Sequence, residues 1–129
     1  MKDRKVNILS LGCSKNLIDS ERLMKMLADS GLKVDFEAPK VGKNDIVVIN
    51  TCGFIGDAKE ESINTILEWV REKELGRIAA VYVMGCLSER YRKELPEEIE
   101  GVDGWFGKTD WSGIVRCITD TTRAITISR

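Results

Sequence analysis

Asp45-Ile46-Val47-Val48-Ile49-Asn50 is the stretch on which the fold turns. Four consecutive β-branched apolar residues without polar alternation suit a strand covered on both faces, as in a parallel sheet packed between helices. Upstream, Val6-Asn7-Ile8-Leu9-Ser10-Leu11 reads as a first strand and Lys33-Val34-Asp35-Phe36 as a short second one. Downstream, Ile78-Ala79-Ala80-Val81-Tyr82-Val83-Met84 reads as another buried strand, with a weaker one around Val102 to Phe106. Helical periodicity fills the gaps. From about Asn16 to Ser30, Leu23, Met24 and Leu27 share a face, and Gly31 is the expected stop. Asp57 is expected to cap a second helix, with Glu60 as its capping-box partner. In that helix Ile63, Ile66, Leu67 and Val70 fall at i, i+3, i+4 and i+7, and Gly76 ends it. Ser88 caps a third helix that stops near Leu95, before Pro96, and Asp110 opens a last one through about Ile118.

Strands alternating with helices define an α/β single-domain three-layer sandwich with a mainly parallel, flavodoxin-like sheet of about five strands. Right-handed crossovers leave few topologies, and the expected strand order is 2-1-3-4-5. The domain is expected to cover residues 1–120, leaving 121–129 as a tail or linker. No internal repeat is visible.

Composition narrows the chemistry. The 129 residues are 43% hydrophobic and 32% charged, with a net charge of −1, a profile of a folded chain rather than a disordered one. The balance lacks the basic excess of nucleic-acid binders, so no direct nucleic acid binding is expected. No window approaches the ~18 apolar residues of a membrane span. The apolar run after Met1-Lys2-Asp3-Arg4-Lys5 is too short for a signal peptide, so a cytoplasmic, non-membrane protein is expected. There is no histidine, which removes Ser-His and Cys-His nucleophile pairs and histidine-bound zinc or haem.

Four cysteines remain, Cys13, Cys52, Cys86 and Cys117, separated by 39, 34 and 31 positions. Each of the first three follows the carboxyl end of an expected strand, in Leu11-Gly12-Cys13, Asn50-Thr51-Cys52-Gly53 and Met84-Gly85-Cys86. In the order 2-1-3-4-5 those three strands are neighbours ~4.8 Å apart, so three thiols on their loops can converge on one object. The glycines beside them permit close approach of backbone and unusual dihedrals. Three thiolates without histidine suit an iron–sulfur cluster with one iron left open. Small buried residues at strand ends, or a redox or disulfide pair in a flavodoxin-like binding module, remain alternatives. Cys117 shares a helix face with Trp111, Ile114 and Ile118 and reads as core packing. The loop Gly12-Cys13-Ser14-Lys15-Asn16 lacks the glycine spacing of a nucleotide fingerprint. Glu60-Glu61 and Glu97-Glu98 read as solvated helix charges, and Trp105, Phe106 and Trp111 as ordinary core.

Three segments carry a resemblance. Leu11-Gly12-Cys13-Ser14-Lys15-Asn16-Leu17-Ile18-Asp19-Ser20-Glu21 resembles the opening motif of the methylthiotransferase family of radical S-adenosylmethionine enzymes. Ile49-Asn50-Thr51-Cys52-Gly53-Phe54-Ile55, with Asp57-Ala58-Lys59-Glu60-Glu61-Ser62-Ile63, is similar to their second motif. Met84-Gly85-Cys86-Leu87-Ser88-Glu89-Arg90-Tyr91 is similar to the third. The wording around Cys13 and Cys52 is nearer the RimO type, which modifies a ribosomal protein, than the tRNA-modifying MiaB type. The resemblance implies an N-terminal methylthiotransferase domain holding an auxiliary 4Fe-4S cluster through Cys13, Cys52 and Cys86. In the family, a radical domain with a second 4Fe-4S cluster on CxxxCxxC and S-adenosylmethionine follows, then a TRAM domain; these would be its partners. RimO-type enzymes attach a methylthio group to the β-carbon of an aspartate in the small-subunit ribosomal protein S-twelve. The present residues contain no CxxxCxxC, so they are expected to bind a cluster but to catalyse nothing alone.

Overall fold

The computed structural model describes residues 5–11, 14–36, 45–51, 56–85, 93, 97, 99–107 and 112–119, with backbone alone at 14–17, 19 and 56–59. The strands are β1 (Lys5–Ser10), β2 (Lys33–Phe36), β3 (Ile46–Thr51), β4 (Ala80–Gly85) and β5 (Gly104–Trp105). The helices are α1 (Ser14–Asp29), α2 (Gly56–Glu74) and α3 (112–119). All strand pairs are parallel, in the order β2-β1-β3-β4-β5. This is the expected order.

Every residue of β3 and β4 is buried, because helices cover the sheet on both sides. On one side Leu23 and Leu27 of α1 and Ile114 and Ile118 of α3 pack on Val6, Ile8, Ile46, Val48, Tyr82 and Met84. On the other, Ile66 and Val70 of α2 pack with Ile78 and Ile99 on Val47, Ile49, Val81 and Val83. Alternate residues of each strand thus feed two separate cores, which is how an unbroken apolar run fills a three-layer sandwich.

The helix ends follow from backbone chemistry. At the end of α1, Gly31 has φ 89°, Leu32 N–H donates to Leu27 O (3.2 Å), and Gly31 N–H donates to Ala28 O (3.0 Å). This pair of bonds satisfies carbonyls that the last helical turn leaves open. Gly76 closes α2 with the same pattern.

Several expectations need correction. Helix α2 starts at Gly56, so Asp57 lies inside the first turn rather than capping it. Leu67 is 47% exposed and does not belong to the core face. At about 100° per residue it sits a quarter-turn beyond Ile66, whereas Ser62, Ile66 and Val70 lie close to one line. The fourth strand begins at Ala80, later than Ile78, and the fifth pairs only at Gly104 and Trp105. The helix expected from Ser88 to Leu95, the Asp110 cap, Trp111 and residues 121–129 lie outside the described residues, apart from Lys93.

Candidate functional site

Three adjacent strands end side by side. Ser10 of β1 is level with Asn50 of β3, and Thr51 of β3 with Gly85 of β4. The backbone continues this alignment past β1, where Leu11 N–H donates to Asn50 O at 2.9 Å. Parallel strands put these carboxyl ends on one edge, where ligands of open α/β sheets bind. Cys13, Cys52 and Cys86 themselves lie outside the described residues. In sequence they come two residues after Leu11, directly after Thr51 and directly after Gly85. Among the described residues no group of three or more His, Cys, Asp or Glu forms a metal site.

The edge is unusually polar for the end of a buried strand. Asn50 and Thr51 are 1% and 0% exposed, and both are satisfied. Asn50 Nδ2 donates to Ser20 Oγ of α1 at 3.0 Å, itself fully buried. Thr51 Oγ1 donates to Met84 O at 2.8 Å, crossing from β3 to β4 one residue before the strand ends. A buried polar side chain without such partners would be costly, so these bonds are required rather than incidental.

Gly85 completes the edge. Its φ is 108°, and a Cβ there would lie 2.5 Å from Thr51 O, 2.7 Å from Asn50 Oδ1 and 2.8 Å from Thr51 N. Two of those atoms are backbone and cannot step aside, so only glycine fits. The unusual dihedral expected beside Cys86 is therefore present at Gly85, while Gly12 and Gly53 lie outside the described residues.

The remaining expectations divide by element. Cys117 is a free, half-buried thiol on α3 packed against the α1-side core, in line with a packing role. Phe106 packs in the same core, its ring 6.1 Å from that of Tyr82, and Trp105 packs in the other. Glu60, Glu61 and Glu97 are exposed. The sequence reading overlooked Asn50, Thr51 and Ser20. The signal available for them was two polar residues closing an otherwise apolar strand.

Known proteins resemble this sequence. A ribosomal protein uS12 methylthiotransferase RimO of Bacteroides fragilis is 55% identical over 116 residues, which is 90% of this chain and 27% of that protein. The enzymes of the same name from Porphyromonas gingivalis and Flavobacterium johnsoniae are 53% and 48% identical over 89% and 92% of this chain, and 26% and 27% of their own lengths. The chain thus spans about a quarter of the length of the curated relatives it matches. Residues 5–107, from the start of β1 past the end of β5, match the model of the family described as Uncharacterized protein family UPF0004, and the chain belongs to that family.

Proposed function

We propose that this chain is the auxiliary-cluster domain of a ribosomal protein methylthiotransferase, with Cys13, Cys52 and Cys86 as ligands of a 4Fe-4S cluster. The observation that carries the reading is the level, neighbouring position of the ends of β1, β3 and β4, with a cysteine three residues, one and one further on. The edge fits such a group. Gly85 leaves the backbone bare where a side chain would crowd the edge, and the donor set is purely thiolate in a chain without histidine. A cluster held by three cysteines supplies an iron open to an outside sulfur ligand.

The likeness to enzymes named for uS12 supports a ribosomal protein substrate, and with it a cytoplasmic setting. No helix among the described residues is long and apolar enough to cross a membrane. The four cysteines stand too far apart for a CxxxCxxC. The radical step and S-adenosylmethionine binding are therefore assigned to the radical domain of the full-length protein, and this chain alone is inactive.

Anaerobic reconstitution with iron and sulfide tests the proposal. The wild type should take up about four irons per chain and show thiolate-to-iron absorbance. Cys13→Ala, Cys52→Ala and Cys86→Ala should lose that uptake, and Cys117→Ala should retain it. A wild type that binds no iron, or a Cys117 variant that fails like the others, overturns the assignment.

A further inference from the structure

Asn50 stands beside described residues that precede or follow each candidate ligand in the chain. Its carbonyl accepts the Leu11 N–H just before Cys13, and its Nδ2 donates to Ser20 on α1, the helix that follows Cys13. It stands two residues before Cys52 in the chain. Its Oδ1 lies 2.7 Å from where a Cβ on Gly85, directly before Cys86, would stand. Asn50 thereby ties the residue after β1, through its backbone carbonyl, and α1, through its side chain, to the strand leading into Cys52, beside the residue leading into Cys86.

Packing alone does not call for an amide here. Val48, on the same face of β3, is apolar, and a leucine of similar volume would need no partner. An amide adds direction: its donor fixes α1 at one height, and its acceptor lies against the bare backbone of Gly85, which the Thr51 backbone already restricts to glycine. We propose that Asn50, with Ser20 and Gly85, is a positioning device that sets the relative height of the segments leaving β1, β3 and β4. It thereby sets the spacing of the three thiolates presented to the cluster. This rests on the cluster reading above, since the spacing matters only if the thiolates share a ligand.

The test uses the wild type with Ser20→Ala, Asn50→Ala and Leu27→Ala, each reconstituted anaerobically with iron and sulfide. Iron per chain, the rate of iron loss to EDTA, the electron paramagnetic resonance spectrum of the reduced cluster and the thermal midpoint are read for each. Ser20→Ala suits both helix and volume, so it should fold. It and Asn50→Ala should hold iron roughly ten- to a hundred-fold more weakly, the usual effect of removing a group that orients a metal ligand, and should show an altered spectrum. Leu27→Ala empties a core position on the same helix, away from this hydrogen bond, and should lower the thermal midpoint while keeping the wild-type iron retention and spectrum. Wild-type retention and spectrum in Ser20→Ala and Asn50→Ala overturn the positioning role while leaving the cluster reading intact. Iron loss from Leu27→Ala as fast as from Ser20→Ala also overturns it, because retention would then follow overall stability. A wild type that takes up no iron overturns the cluster reading and this inference with it.

Discussion

Gly31 and Gly85 both have positive φ, yet they impose different demands on the chain. A Cβ at Gly31 would meet nothing within 4 Å, whereas one at Gly85 would strike the backbone of Thr51. Gly31→Ala should therefore cost only the backbone term, about 1 kcal/mol in urea unfolding. Gly85→Ala adds a collision that β3 can relieve only by moving, so its cost should exceed that of Gly31→Ala by about 1–3 kcal/mol. Equal losses in the two variants would contradict the close approach of β3 and β4 at the edge. Gly31 was legible from sequence because a glycine after an amphipathic run is a helix stop. The hydrogen bond between Asn50 and Ser20 was not, because nothing local announces a partner thirty positions away.

Among the elements, β5 has the least support of its own, with two paired residues. Asp103, just before it, supplies the rest. Its Oδ2 accepts the Val81 N–H at 2.9 Å, its Oδ1 meets Lys73 Nζ of α2 at 3.0 Å, and its own N–H donates to Val81 O at 2.8 Å. Lys73 Nζ also donates to Gly101 O at 2.8 Å. The carboxylate thus ties α2, β4 and β5 together. Asp103→Ala leaves the Val81 amide without that acceptor and should cost about 1–3 kcal/mol. Lys73→Ala removes a partly exposed ion pair and should cost about 0.2–1 kcal/mol. Hydrogen exchange should show the Val81 amide losing protection in the first variant and not in the second; the reverse order would remove Asp103 from this role. The run Val102 to Phe106 announced a strand but not its length, since pairing here depends on one carboxylate's reach to a strand 22 positions earlier. Leu67 fails for a related reason. Its i+4 spacing from Ile63 is helical, but the buried stripe of α2 is centred on Ile66 and Val70.

For the molecule as a whole, the order of the strands followed from handedness and alternation. The central strand's apolar run required cover on both faces, and short right-handed crossovers allowed little else. The three cysteines stood out by position because each follows a strand that the order makes a neighbour of the next. The sheet's connectivity also fixes when such a site can arise. Val6 pairs with Val34 and Ile46 across α1, and Ile46 with Ala80 across α2, so these three ladders join stretches separated by a helix and none of them forms locally. Contacts of that kind are slow to close. The edge beyond Ser10, Thr51 and Gly85 is complete only after β4 has joined β3, when two-thirds of the sequence has already been committed. A zinc finger draws its ligands from nearby residues and folds around its ion. On the proposed cluster reading the order would be reversed, with iron arriving late at a finished scaffold. The metal-free protein should accordingly give the same far-ultraviolet circular dichroism as the loaded one and unfold in a single cooperative step, with iron raising its midpoint. A metal-free chain lacking that signal would mean that metal and sheet assemble together.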